Sequence, residues 1–211
     1  MAVVKKSNGR HPERTKHSIL ASATEEFARY GLGGARVDRI AQRAGANKRM
    51  LYYYFGDKDG LFLASLEDRY AHIRSAEREL ELEHLDPREA VKRLVDFTWN
   101  YFLEHPEFMT LLNSENLHKG RHVKKSKRVQ EMHSPLVETL RTLLRRGEKR
   151  GLFRKGVDPV HLYISIAGEM YFYLSNRYTL SRIFGRDLMA PRALAGRSRH
   201  ITQMILNALR R

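Results

Sequence analysis

Cysteine is absent from all 211 residues. That excludes disulfides, thiolate catalysis and Cys-built zinc sites, and nothing points to an oxidising compartment. No run of about 18 apolar residues occurs, and the apolar clip ahead of the basic residues in MAVVKKSNGRH is short, so a cytoplasmic location and no membrane partner are expected. Also missing is any alternation of apolar and polar residues between turn signals, which argues against a sheet. A nucleophile elbow, a phosphate-binding loop and metal-ligand spacing are lacking too, so no enzyme, no catalytic residue and no cofactor are expected. His105, His118, His122 and His133 do not fall at an H-x-x-x-H spacing, which leaves no metal site to propose.

Acidic residues are scarce, and unevenly so. Lys and Arg number 39 against 24 Asp and Glu, a formal charge of +15. Residues 1–60 carry 12 basic and 6 acidic side chains, residues 61–118 carry 6 and 12, and residues 119–211 carry 21 and 6. A basic head, an acidic waist and a basic tail suit a polyanionic partner, although charge of this kind supports only non-specific attraction.

Helical periodicity runs throughout, and the chain is long enough for a real core. The fold class is therefore read as all-α. Pro12 opens a helix over about 13–30 whose inward positions are Ile19, Leu20, Ala23 and Phe27, and Gly31 stops it. Val37, Ile40, Ala41 and Ala44 mark a very short second helix ended by Gly45. Asn47 caps a third from Lys48 to Phe55, and Asp57 a fourth from Lys58 to about Leu80. Two short helices joined by a tight glycine turn make a helix-turn-helix, here at about 37–56. Further on, Asp86-Pro87, Pro106, Pro135, Pro159 and Pro191 each sit at a plausible helix start.

The stretch NKRMLYYYF sets the chemistry. At 100° per residue, Leu51, Tyr54 and Phe55 share the face that must pack on the second helix and Phe27. Arg49 and Tyr53 fall on the opposite face, flanked by Met50 and Tyr52, with Asn47 and Lys48 at the helix start. In a helix-turn-helix the start of the second helix meets base edges in the major groove. Arg49 suits guanine O6 and N7, Met50 or a tyrosine ring a thymine methyl, and the Tyr52 and Tyr53 hydroxyls suit phosphates. The plainer alternative is one more three-helix unit of a bundle whose exposed face is basic.

The residues RTKHSILASATEEFARYG and VDRIAQRAGANKRMLYYYFGDKDGL, spanning Arg14 to Leu61, resemble the DNA-binding domain of the TetR family of bacterial transcriptional regulators. The markers are Ala23, Phe27, Gly31, Ile40-Ala41, Ala44-Gly45, Leu51-Tyr52, Tyr54-Phe55, Lys58 and Leu61. The resemblance implies a recognition surface over Lys48 to Tyr53, phosphate contacts from Tyr52 and Tyr54, and a backbone contact from Lys58. Two positions depart from the family pattern. Ala35-Arg36 replaces the usual hydroxyl before the second helix, with Arg36 as the substitute phosphate contact, and Arg49 stands where a small residue is common.

The expected organisation is a flexible basic arm over 1–12, a three-helix DNA-binding head over 13–60, and a larger helical effector-binding and dimerisation domain over 61–211. DPVHLYISIAGEMYFYLSN is apolar nearly all round and should be buried on both sides, one of them a candidate subunit interface. The resemblance implies that this helix and the last one build a homodimer, matched to a palindromic double-stranded operator. Trp99, Phe102, Phe108, Met109 and Met170 offer an apolar lining for an effector pocket, or are simply core. Glu169 shares a face with Leu162, Ile166 and Tyr173, so it must be ion-paired, hydrogen-bonded or turned to a ligand. The run KGRHVKKSKR reads as a solvated face or mobile loop, or as a guide for an anionic effector. The function expected is a sequence-specific DNA-binding regulator, a repressor released by a small-molecule effector. The rival is an architectural protein that coats nucleic acid with little sequence preference.

Overall fold

The computed structural model describes residues 12–211, so the arm expected over 1–12 lies, Pro12 apart, outside the described residues. Ten α-helices occur among them: α1 (Pro12–Gly34), α2 (Val37–Arg43), α3 (Lys48–Phe55), α4 (Lys58–Arg78), α5 (Pro87–Glu104), α6 (Pro106–Leu117), α7 (Lys127–Lys149), α8 (Pro159–Ser175), α9 (Arg177–Ile183) and α10 (Pro191–Leu209). Single 3₁₀ turns lie at Leu82–His84 and Val123–Lys125. The isolated Phe153–Arg210 bridge is the only extended pairing among the described residues.

Helix starts follow side-chain chemistry. The first amides of a helix have no partner within it, and a polar residue just before the helix supplies one. Asn47 accepts the Met50 N–H at 2.9 Å, Asp86 the Arg88 N–H at 2.9 Å, and Ser126 the Val129 N–H at 3.2 Å. Asp158 accepts both Val160 and His161. Proline stands at the first position of α5, α8 and α10, where its missing N–H costs nothing. Pro135 is different. It was expected at a helix start and lies deep inside α7, because the Ser126 cap begins the helix eight residues before it can act. Its ring leaves the Glu131 carbonyl without an intrahelical donor, and both residues are solvent-exposed. The seven-residue α9 also has no counterpart in the periodicity reading.

The chain divides into two compact units. The first comprises residues to Glu67 together with 110–125, and the second residues 68–109 and 126–211. The boundary read at 60/61 therefore falls within α4, and a segment from the middle of the chain joins the first unit. The core of that unit is Ile19, Ala23 and Phe27 of α1, Ile40 and Ala41 of α2, Leu51 of α3, Leu61, Phe62 and Leu66 of α4, and Leu111 of α6. Phe27 and Phe62 meet edge to face at 5.1 Å. Two glycines are demanded by geometry. Gly45 turns the chain between α2 and α3 at φ 61°, a left-handed conformation that costs other residues energy. At Gly60 a Cβ would lie 2.1 Å from the Phe55 carbonyl oxygen, so α3 and α4 meet only without a side chain.

In the second unit α5 packs on α7, α8 and α10. Leu94 and Val95 of α5, Leu140 and Leu143 of α7, Ile166 and Met170 of α8, and Ile201 and Ile205 of α10 are all buried. The expectation that α8 is buried on both sides holds for one side of the single chain. Leu162, Ile166, Met170 and Tyr173 face inward, while Ile164 and Phe172 are exposed at 58 % and 59 %. Four neighbouring helices cannot surround all of α8, and nothing among the described residues covers its outer stripe.

Candidate nucleic-acid interface

Both ends of α2 are tied to α1 by polar groups. At its C-terminus the Ser18 hydroxyl donates to the Ala44 carbonyl at 3.1 Å. At its N-terminus Arg36 supplies no side-chain cap. Glu26 of α1 does the work instead: its Oε1 accepts the Arg36 N–H at 3.1 Å and the Arg39 Nε–H at 2.6 Å, and its Oε2 accepts Arg43 at 3.4 Å. Glu26 is fully buried. Burial alone would raise its pKa, but the Arg39 and Arg36 hydrogen bonds and the charges of Arg39 and Arg43 outweigh it and hold the carboxyl below the ordinary value. A carboxylate near the α2 start also suits the positive end of that helix. Sequence reading passed over Glu26. The signal was available, since Ser22 and Glu26 continue the inward stripe of Ile19, Ala23 and Phe27.

Fixed in this way, α2 supports α3. Leu51 is the residue of α3 that is fully buried, and Met50, Tyr54 and Phe55 pack half-buried against the same core. Met50, assigned to the flank of the outer face, therefore turns inward, and Phe55 is less enclosed than its core assignment implied. An eight-residue helix lying on a shallow core cannot seal three large side chains at once. Tyr53 is 82 % exposed and Tyr52 48 %, and Lys48 and Arg49 are exposed beside them. Lys48 forms an ion pair with Asp38 of α2. Lys58 donates to the Gly33 carbonyl at 3.4 Å from the start of α4.

In the run 119–128, read as a solvated face or mobile loop, Lys119, Lys124, Lys125, Lys127 and Arg128 are exposed, while Arg121, His122 and Val123 are anchored. His122 is buried, and its Nδ1 lies 2.5 Å from Glu115 Oε2. Glu115 Oε1 accepts the N–H groups of His122 and Val123, and Arg121 reaches Asp59 at 3.1 Å. The His122 ring stands edge-on to Phe62 at 5.0 Å. This clasp holds the 110–125 segment on α4 of the first unit. The four histidines take separate partners: His105 pairs with Glu107, His118 with the Ser114 carbonyl, His122 with Glu115 and His133 with the Val129 carbonyl.

In the second unit Trp99, Phe102, Phe108, Met109 and Met170 are buried core side chains. Trp99 packs on Tyr173 and Phe102 on Phe108. The cavity between α4 and α7 is lined by other residues, Arg74, Glu77, Met132 and Leu136 among them. Glu169 pairs with Arg197 of α10 at 2.5 Å, with both side chains part-exposed.

No helix among the described residues is long and apolar enough to cross a membrane. Residues 19–65 match the family model for bacterial regulatory proteins of the tetR family, and residues 87–205 match the tetracyclin repressor-like C-terminal domain. The chain is 41 % identical over 199 residues to the HTH-type transcriptional repressor NicS of Pseudomonas putida, covering 94 % of each protein. It is 32 % identical over 160 residues to the HTH-type transcriptional repressor SCO4008 of Streptomyces coelicolor, covering 75 % of this chain and 78 % of that one. The crystal structure of the regulator SCO4942 from Streptomyces coelicolor superposes with a TM-score of 0.67 at 24 % identity, over 92 % of this chain and 98 % of the other, and so shares the fold. A braced helix-turn-helix with a basic, aromatic outer face is thus joined to a matching C-terminal domain, and the chain belongs to the TetR family of bacterial transcriptional regulators, which bind DNA.

Proposed function

We propose that the chain is a cytoplasmic repressor that reads a palindromic operator with α3 and leaves it when a small molecule binds the second unit. The observation that carries this reading is the outer face of α3, where Lys48, Arg49, Tyr52 and Tyr53 stand in solvent on a helix whose opposite side is locked to a buried core. Asn47 holds the helix start open toward the groove, Met50 and Tyr54 shape its edges, and Arg36 and Lys58 flank it as phosphate contacts. The repressor sense is supported by the printed names of the two relatives. A homodimer through α8 and α10 accounts for the exposed Ile164 and Phe172 stripe, and two-fold symmetry matches a palindrome. Release is a population shift in which effector binding favours a head spacing that no longer fits successive major grooves.

Arg49→Ala tests the reading. Binding to an operator should weaken by about 1–3 kcal/mol, with far less change on random DNA at the same salt concentration. Equal weakening on both would reduce Arg49 to a phosphate contact. A wild-type protein that binds operator and random DNA alike would favour the architectural alternative.

A further inference from the structure

Arg74 and Glu77 sit on the inner side of α4, 3 % and 5 % exposed, in the interior of the second unit. Their ion pair, Arg74 Nη1 to Glu77 Oε2, measures 2.7 Å. Arg74 Nη2 donates to the Tyr163 hydroxyl at 2.5 Å, and its guanidinium lies over the Tyr163 ring. Beyond that ion pair, Arg74 Nε and Glu77 Oε1 are buried with no hydrogen-bond partner. Buried polar atoms left in this state are costly, and a folded protein keeps them where something else completes their bonding.

The same two side chains line a cavity of about 220 Å³, together with Arg78, Glu83 and Thr139 and an apolar wall of Leu82 beyond the end of α4 and Met132, Pro135 and Leu136 on α7. A dry cavity of about 150 Å³ is known to take a benzene ring. This one has room for a ring and a small polar group.

We propose that this cavity is the effector site, and that its ligand is a compact carboxylate whose headgroup bonds the Arg74 guanidinium while an apolar body the size of one ring lies against Leu82, Met132 and Leu136. The proposal rests on the reading of the chain as an effector-released regulator. A guanidinium presents N–H donors in a planar fork that matches a carboxylate, and the +15 chain attracts anions from solution. The second carboxyl group, Glu77, decides the proton balance. Burial pushes its pKa up to about 7, with Arg74 and Arg78 only partly offsetting the shift. An incoming anion raises it further, so Glu77 takes one proton from water and its new O–H donates to the ligand. The charge of Arg74 is then balanced by the ligand, and Glu77 beside them is a neutral acid.

Other groups surround Glu77. Arg78 and Glu83 face the same cavity, Tyr101 of α5 and Tyr163 of α8 lie behind it, and His133 of α7 lies near Arg74. Burial raises both tyrosines and lowers His133, so the phenols keep their protons and the imidazole stays neutral where Glu77 titrates. A requirement for protonated Glu77 with a pKa of about 7 makes carboxylate binding about tenfold tighter at pH 6 than at pH 8.

The test is calorimetric titration of the full-length protein with benzoate, benzamide and benzyl alcohol at both pH values, in buffers of different ionisation enthalpy. Benzoate should bind in preference to the two neutral probes, tighter at pH 6, with uptake of about one proton per chain at pH 8 and only about a tenth of a proton at pH 6. Thr139→Phe, which puts a ring into the cavity and leaves every charged side chain of its lining in place, should weaken benzoate at least about tenfold while circular dichroism stays unchanged. Arg74→Lys should do the same, and Glu77→Gln should bind benzoate with no pH dependence. Preference for benzamide, tightening as pH rises, would show an amide bonded to ionised Glu77 and overturn the carboxylate assignment. Failure of benzoate to bind, or binding indifferent to Thr139→Phe, would overturn the site. Operator affinity is measured separately with and without benzoate. Binding in the cavity that leaves DNA affinity unchanged would refute its role in release. Release by some other compound, unaffected in Thr139→Phe, would leave the regulator reading intact and the site refuted.

Discussion

Glu26→Gln removes the charge at the centre of the first unit while keeping an acceptor and nearly the same volume. In the wild type, Arg39 at 2.6 Å, the Arg36 N–H at 3.1 Å and Arg43 at 3.4 Å converge on this carboxylate. Hydrogen bonds to a charged group contribute about 1.5–3 kcal/mol each, and breaking a wholly buried pair costs about 3–5 kcal/mol. The Arg39 and Arg43 side chains remain 38 % and 37 % exposed, so after the substitution they turn to water and much of that cost is recovered. A net loss of about 2 kcal/mol is expected at pH 7. The sign with pH is diagnostic. Because the folded-state pKa of Glu26 is lowered, its contribution is complete above the ordinary glutamate value of about 4.3 and is lost as pH falls through the folded value. Urea denaturation followed by circular dichroism, run from pH 7 down to pH 3, should show the gap between wild type and Glu26→Gln closing at the acid end. A gap that persists unchanged at pH 3, or no gap at pH 7, would refute the role assigned to Glu26.

Leu51→Ala should cost about 2–5 kcal/mol, since Leu51 is 2 % exposed, whereas Tyr53→Ala should change stability by no more than about 0.5 kcal/mol and weaken operator binding. Thermal melts with DNA titrations separate them, and a reversed order would mean that the faces of α3 are misassigned. Gly60→Ala places a methyl group 2.1 Å from the Phe55 carbonyl. Backbone cannot rotate away as a side chain does, so a loss of about 1–3 kcal/mol is expected, and wild-type stability in that variant would contradict the close approach of α3 and α4. Glu77, with its raised pKa, gives the opposite pH sign to Glu26. The folded chain holds more protons than the unfolded one between about pH 4.3 and pH 7, so stability should fall across that window by up to about 1.4 kcal/mol per unit. Denaturation midpoints at pH 5 and pH 8 should show the fall in wild type and lose it in Glu77→Gln.

Local chemistry was legible without coordinates. Caps at Asn47, Asp57 and Asp86, prolines at first helical positions and the 3.6-residue period place most of the helices, because each depends on neighbours a few residues away. The division of the aromatic run between core and solvent followed from the same period, and the exposure of Tyr53 agrees with it. Tertiary structure decided the rest, wherever a group's state depends on partners far along the chain. Glu26 is an ordinary acidic residue on α1 until Arg36, Arg39 and Arg43 close around it. His122 belongs to a basic run until Glu115 and Phe62 enclose it. Pro135 looks like a helix start, and the Ser126 cap makes it an interior residue. The apolar residues offered as a pocket lining are buried core side chains, and composition does not say where packing leaves space. That space opens beside Arg74 and Glu77, two charges fifty residues and more from the α7 side chains opposite them, because only the meeting of distant helices determines which polar atoms lose water and gain no partner.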